Sequence, residues 1–381
     1  MSATAWLESE LAELRAAGLA RELTPRAAAD GRLNLASNDY LGLATHPAVV
    51  AGARGALEAY GAGAGASRLL AGSLDLHAAL ETRLAAHKGC PAALVLGSGY
   101  LAAVALMPAL VGRGDLIVAD RLAHASLLDG ARLSRAELAR FDHNDVDHLR
   151  ALLARPARRR LVVTESVFSM DGDLAPLAEI AEVASEVEAM LLVDEAHAAG
   201  VFGPGGGGRV RQLGLGGAVT VNLSTLSKAL GSYGGVLGVA EDLRQWLISR
   251  HRGLIYSTAL PPAAAGAALA ALELLAAEPE RGSRLLALAD GFRQGLRAGG
   301  LDTLNSAGPI VPVLVGDVDR TMALARRLRD AGLLVGAIRP PTVPAGAARL
   351  RLSVTLNHAP EALAAAAETI LAAARAEGLG P

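Results

Sequence analysis

The sequence predicts an α/β fold, with a mostly parallel central sheet covered by helices and a smaller α+β unit at the C-terminal end. Three observations lead there. Short apolar runs alternate with longer amphipathic segments as far as Pro261-Pro262, the pattern of parallel strands buried on both faces by intervening helices. After those prolines the character changes: an Ala/Leu-rich helix runs to about Ala277, and strand-like runs follow near 310–315 and 349–354. The length of 381 residues also allows two packed domains.

Taken in order, Trp6, Leu7, Leu11 and Leu14 fall at helical spacing among Glu8, Glu10 and Glu13. No basic stretch precedes an apolar core there, so the segment does not read as a signal peptide. Residues 90–112 carry no charge and are long enough for a membrane span of roughly 20 residues. Pro91, Gly97, Gly99 and Pro108 break that run into a strand at 93–96, a turn at 97–99 and a helix at 100–107. Further strands are expected at 116–119, 161–164, 190–193, 219–223 and 236–239. A helix over 175–188 carries a Leu177, Ile180, Ala181 and Val183 stripe, and 203–208 (GPGGGG) reads as a short mobile loop. The divisions that follow are an N-terminal helix and segment over 1–40, a large domain over 41–275 and a small α+β domain over 276–381.

A net charge of -2 and a pI near 6.5 provide no global field for nucleic acid or an anionic membrane. The lone cysteine, Cys90, excludes an internal disulfide and suits a reducing, cytoplasmic compartment.

The 36 basic residues include only two lysines, Lys88 and Lys228. A primary amine can lose its proton and condense with an aldehyde, whereas a guanidinium stays charged. Lys228 lies in a small-residue, Gly-rich stretch, Ser224 to Gly235, through which a bulky cofactor can approach the backbone. Lys88, closing a helical segment before Gly89, reads as an ordinary C-terminal charge. Gly97-Ser98-Gly99-Tyr100 stands where a buried strand turns into a helix, a place where free N–H groups favour phosphate. Asp194 follows four apolar residues at a strand end, the edge of a parallel sheet where ligands bind, while Glu195 beside it reads as a solvated strand end.

Asp194-Glu195-Ala196-His197 also spells the acidic box of nucleotide-hydrolysing enzymes. Neither lysine lies in the Gly-x-x-x-x-Gly-Lys-Ser/Thr loop such enzymes need, so that reading fails. A Schiff-base lysine, an upstream Asp for a pyridine nitrogen and a helix start for a phosphate together describe pyridoxal phosphate binding.

Longer motifs carry a resemblance. They are Ser37-Asn38-Asp39-Tyr40-Leu41-Gly42-Leu43, Ser67-Arg68-Leu69-Leu70-Ala71-Gly72, Arg121-Leu122-Ala123-His124-Ala125-Ser126 and His143-Asn144-Asp145. Thr164 to Asp173 (TESVFSMDGD), Asp194 to His197, Thr225-Leu226-Ser227-Lys228, Ile338 to Gly346 (IRPPTVPAG) and Arg349-Leu350-Arg351 complete the set. In this order, over nearly the whole chain, they resemble the α-oxoamine synthases of the fold-type I pyridoxal phosphate superfamily. The Ile338 to Gly346 segment is closest to the branch that makes 8-amino-7-oxononanoate for biotin.

The resemblance implies a role for each matching residue. Lys228 would bind the cofactor and move the substrate Cα proton, Asp194 would pair with the ring nitrogen, and His124 would stack on the ring and help hold the substrate. His197 and Ser169 would meet the phenolic oxygen and nearby atoms. Gly99, Tyr100 and Thr225 would hold the phosphate, with Ser257 or Thr258 reaching in from the partner of a homodimer. Asn38 and Arg351 would take the amino acid carboxylate, and Arg21 and Thr342 the acyl substrate. The implied reaction condenses L-alanine with pimeloyl-CoA, or a pimeloyl carrier protein, with loss of carbon dioxide. Glycine with acetyl-CoA is the nearest alternative, and a fold-type I aminotransferase a more distant one. The chain departs from the family pattern at Ala66, at Leu101 to Val104, at Ala198-Ala199 and at Gly208-Arg209-Val210, none of them an implied catalytic group.

Overall fold

A computed structural model describes residues 3–28 and 30–379. Its strands, in chain order, are β1 (Leu33–Asn34), β2 (Ala92–Leu96), β3 (Leu116–Asp120), β4 (Glu137–Phe141), β5 (Arg160–Glu165) and β6 (Met190–Asp194). They continue with β7 (Val221–Thr225), β8 (Gly235–Val239), β9 (Ile310–Gly316), β10 (Leu333–Leu334), β11 (Gly336–Ile338) and β12 (Ala348–Ser353). Seven form the large sheet, in the order β2-β8-β7-β6-β5-β3-β4. Only β8 runs against its neighbours. Six of the seven, all but β4, show at most one residue short of full burial, as helices on both faces require.

The expected strands of the sheet are present with ends moved by one or two residues. The largest shift is at β7, where the Thr220 hydroxyl accepts from the Leu191 amide before the strand begins, and the strand runs on to Thr225. Strand β4 is missing from the sequence reading because it is an edge strand with only Ala139 and Phe141 buried. The uncharged 90–112 run is β2, a turn and the helix Gly99–Leu110. That helix passes Pro108 because Leu106, Met107 and Leu110 are buried on either side of it, outweighing the lost backbone bond. No helix among the described residues is long and apolar enough to cross a membrane.

The small sheet, β11-β12-β9, is antiparallel. The N-terminal segment joins this region: Leu33 and Asn34 pair with Leu333 and Leu334, and the Ser353 amide donates to the Leu35 carbonyl at 2.7 Å. The chain from Leu35 to Leu43 therefore lies between the C-terminal sheet and the end of the large sheet. Residues 203–208 correct the sequence reading of a mobile loop. Gly206 to Gly208 are buried, and Gly208 donates to the Phe202 carbonyl at 2.8 Å.

One clamp at the sheet edge explains the His143-Asn144 motif. His143 bonds Asp120 at 3.0 Å and Asp173 at 2.8 Å and stands edge-on to Phe168, while Asn144 Nδ2 also donates to Asp173. The turn that carries Ser169 is thereby tied to the ends of β3 and β4. Burial works against charge on His143, but the bonds to the two aspartates outweigh it and raise its pKa to about 9. Since the folded value lies above the unfolded 6.5, the clamp stabilises fully below pH 6.5 and is lost as pH rises through about 9. We predict that urea midpoints fall across that window and that His143→Gln flattens the fall, losing on the order of 3 kcal/mol at pH 6. An equal pH dependence in the variant would refute the clamp.

Candidate active site

The parallel strands end in polar residues on one edge of the sheet: Glu165 on β5, Asp194 on β6 and Thr225 on β7. Glu165 and Asp194 are direct register partners, so two buried carboxyl groups stand side by side. Lys228 enters the same 280 Å³ cavity from the turn after β7, together with His124, His197 and the 98–100 turn. Burial is the leading effect on the amine and lowers its pKa to about 8; Asp194 and Glu165 oppose this and Arg351 reinforces it. Burial raises Asp194 and raises Glu165 further, the latter with the added repulsion of Asp194.

At the 98–100 turn, Ser98 caps the helix Gly99–Leu110 by accepting from the Leu101 amide at 3.1 Å. The amides of Gly99 and Tyr100 belong to the first turn and have no partner inside the helix. Gly99 keeps the floor clear, since a Cβ there would stand 3.3 Å from Thr225 Cβ. The Thr225 hydroxyl bonds the Gly234 carbonyl and Ser227, and Tyr100 donates to Asp129 at 2.7 Å. Thr258 lies outside this lining in its own chain; it forms an antiparallel bridge with Ser67.

His124 both caps the helix Ala125–Ser134, through Ser126, and faces the cavity. Burial lowers its pKa, which keeps the ring neutral. It also lines a second 280 Å³ cavity containing Asn38, Ser169, His197, Lys228 and Arg351, and a 690 Å³ cavity reaching Thr342. Three spaces therefore meet at His124. Arg351 is buried and held by four partners: Nε donates to the Ser169 carbonyl at 2.6 Å, Nη1 to Asn38 at 3.1 Å and to Ser353, and Nη2 to Tyr40 at 3.5 Å. Arg21 donates to Thr342 at 3.2 Å, bringing together two residues 321 positions apart. The Ser169 carbonyl serves Arg351, and the residue lines both outer cavities.

Three buried residues in or behind the site escaped the sequence reading. Glu165 directly follows the buried run 161–164, the same signal that singled out Asp194, and its Oε1 is buried without a partner. Tyr40 is fully buried and bonds His197 Nδ1 at 2.6 Å, while His197 Nε2 lies 3.0 Å from Lys228 Nζ. The third is Lys88, where the expectation of a solvated helix charge is wrong. Gly89, at φ 69°, turns the chain so that Lys88 is 3% exposed with Nζ 3.4 Å from Glu195. Glu195 is likewise no solvated strand end. It is 0% exposed, and its other oxygen accepts from the Val210 amide at 2.8 Å. A Cβ on Gly208 would run into that carboxylate.

A buried amine, paired carboxyls, two neutral imidazoles and unspent helix amides form a donor set suited to a phosphorylated aldehyde with a ring nitrogen. Comparison with known proteins agrees. The model of the aminotransferase class I and II family matches residues 30–370. An 8-amino-7-oxononanoate synthase of Anaeromyxobacter dehalogenans is 51% identical over 93% of this chain and 91% of its own. The chain belongs to the class I and II aminotransferase family, among the 8-amino-7-oxononanoate synthases. Two solved structures share the fold. A serine palmitoyltransferase from S. paucimobilis with a bound pyridoxal phosphate–myriocin adduct has a TM-score of 0.92 at 32% identity, covering 98% of each chain. The 8-amino-7-oxononanoate synthase of Francisella tularensis has 0.79 at 27%, covering 92% of this chain and 100% of that one.

The Lys88–Glu195 pair lies directly behind Asp194. Removing one member leaves the other buried and uncompensated, so Lys88→Met is expected to cost about 3–5 kcal/mol in urea unfolding. Adding Glu195→Gln should recover most of that loss. A Lys88→Met variant of wild-type stability would show that the pair is dispensable.

Proposed function

We propose that this protein condenses L-alanine with the pimeloyl thioester of CoA or of a carrier protein, releasing 8-amino-7-oxononanoate, the free thiol and carbon dioxide. The observation that carries the reading is Lys228: a neutralisable amine beside Asp194, at the end of a parallel sheet, in a chain half identical to synthases of that name. Pyridoxal phosphate, held by Lys228, would supply an electron sink for charge developing at the alanine Cα. Asp194 would keep its ring nitrogen protonated, and the 99–100 amides with Thr225 would hold its phosphate.

The protein groups then have defined tasks. Arg351 and Asn38 hold the alanine carboxylate, Arg351 through a fork already fixed by Ser169 and Ser353. Lys228 takes the Cα proton, which requires the neutral amine. His124, at the junction of the three cavities, orients the thioester carbonyl as the new C–C bond forms and the thiol leaves. The bond to the carboxylate carbon breaks next, and Lys228 returns a proton to Cα. The 690 Å³ cavity reaching Thr342 and Val343 supports a long acyl chain, being far larger than an acetyl group needs.

A homodimer is part of this proposal. The bridge between Ser67 and Thr258 lies beside Leu69, Leu70 and Tyr256, which are 49%, 80% and 71% exposed. Such apolar exposure suits a subunit contact that carries Thr258 into the partner's phosphate site.

Thiol release by the cofactor-loaded protein tests the reading. Pimeloyl-CoA with L-alanine should be turned over well ahead of acetyl-CoA with glycine; the reverse preference would overturn the substrate. Lys228→Ala should lose both turnover and the visible absorbance of lysine-bound cofactor. Turnover in that variant would sink the mechanism.

A further inference from the structure

The hydrogen-bond path from Lys228 does not end at His197. It runs from Lys228 Nζ to His197 Nε2 (3.0 Å), from His197 Nδ1 to the Tyr40 hydroxyl (2.6 Å), and from there to Asn38 Oδ1 (3.2 Å) and Arg351 Nη2 (3.5 Å). Tyr40 and His197 are buried, so their polar atoms need partners within the site. The Schiff-base lysine and the carboxylate grip are thus joined through a single phenol. Resting on the function proposed above, we infer that Tyr40 is a positioning residue that sets the tautomer of His197 and thereby holds Lys228 as the neutral amine.

Counting protons along the path leads to this assignment. The Tyr40 hydroxyl has one proton and two acceptors within reach, and Asn38 Oδ1 already accepts from Arg351 Nη1 at 3.1 Å. The shorter contact, 2.6 Å, is to His197 Nδ1. His197 is a neutral ring because burial, with Lys228, Arg351 and His124 nearby, drives its pKa well below the usual value. When Tyr40 donates to Nδ1, the ring proton sits on Nε2 and points at Lys228 Nζ, which must then accept and so must be uncharged. An ammonium at Lys228 needs the opposite arrangement. The Nε2 lone pair would face it, Nδ1–H would turn to Tyr40, and the phenol proton would move to Asn38. Protonating Lys228 therefore reverses two hydrogen bonds in a buried row and redirects the phenol proton to a third partner. Besides His197, the charged and titratable groups facing Lys228 are Asp194, Glu165, Arg351 and His124. None of them depends on Tyr40 for its position except Arg351, which keeps three other bonds.

The test reads the amine directly. The rate at which the full-length, cofactor-stripped protein captures pyridoxal phosphate, followed by visible absorbance, rises with the neutral fraction of Lys228. The wild-type rate should rise through pH of about 8. In Tyr40→Phe, which keeps the ring but removes the donor, the midpoint should move up by about one pH unit. Asn38→Ala removes the competing acceptor and should leave the midpoint at or below wild type, a direction general loosening would not produce. Histidine ¹⁵N shifts should place the His197 proton on Nε2 in wild type and move it in Tyr40→Phe. An unmoved midpoint and tautomer in Tyr40→Phe, or a raised midpoint in Asn38→Ala, would overturn the inference alone. A wild-type protein that never develops the absorbance would overturn the functional reading and the inference with it.

Discussion

Desolvation of one amine organises this molecule. Lys228 sits where the large sheet stops, and taking it out of water lowers the cost of its losing a proton. That benefit exists only while the surroundings neither collapse nor flood. Asp194 and Glu165 supply negative charge from adjacent strands, and His197 supplies a neutral partner. The backbone behind them is held by a second buried ion pair that never meets substrate. A lysine at a solvated position would hold its proton more tightly and offer its lone pair to an aldehyde far less often.

The sheet converts chain order into this geometry. Parallel register places Glu165 opposite Asp194, and the next strand along carries Thr225 to the same edge. The antiparallel β8 then brings the chain back after Lys228, so the lysine occupies a turn and not a strand interior. The small sheet contributes Arg351 from β12, and the N-terminal segment threads Asn38 and Tyr40 between the two sheets. Residues from four distant parts of the sequence therefore share one wall, because the large sheet ends there and β12 of the small sheet passes alongside.

How much of this was legible beforehand depends on what each residue's signal was. The strands of the large sheet announced themselves as uninterrupted apolar runs, and β4 did not because an edge strand half open to water has a mixed pattern. Lys228 stood out by chemistry, and Asp194 by following a buried run. Glu165 carried that same mark and was passed over. Lys88 misled because helix-terminal lysines are ordinarily solvated, and only the turn at Gly89 carries it inward to Glu195, while the side-chain-free Gly238 leaves room for the neighbouring Cys90 sulfur. Tyr40 sat inside a motif recognised as a whole, but its bond to His197 spans 157 positions and no local spacing encodes it. The glycine run at 203–208 looked slack, yet it is packed because glycine alone lets the chain pass so close to Glu195.

The scarcity of lysine has a chemical consequence beyond the site. Aldehydes condense with accessible side-chain amines, so any exposed lysine competes for a free aldehyde. Here one of the two lysines is the partner in the function proposed above, and the other is sealed against Glu195. Arginine elsewhere supplies positive charge without offering a Schiff-base nucleophile. The protein's lysine side chains thus present a single address to an aldehyde, and selectivity for the correct amine is achieved by removing the wrong ones.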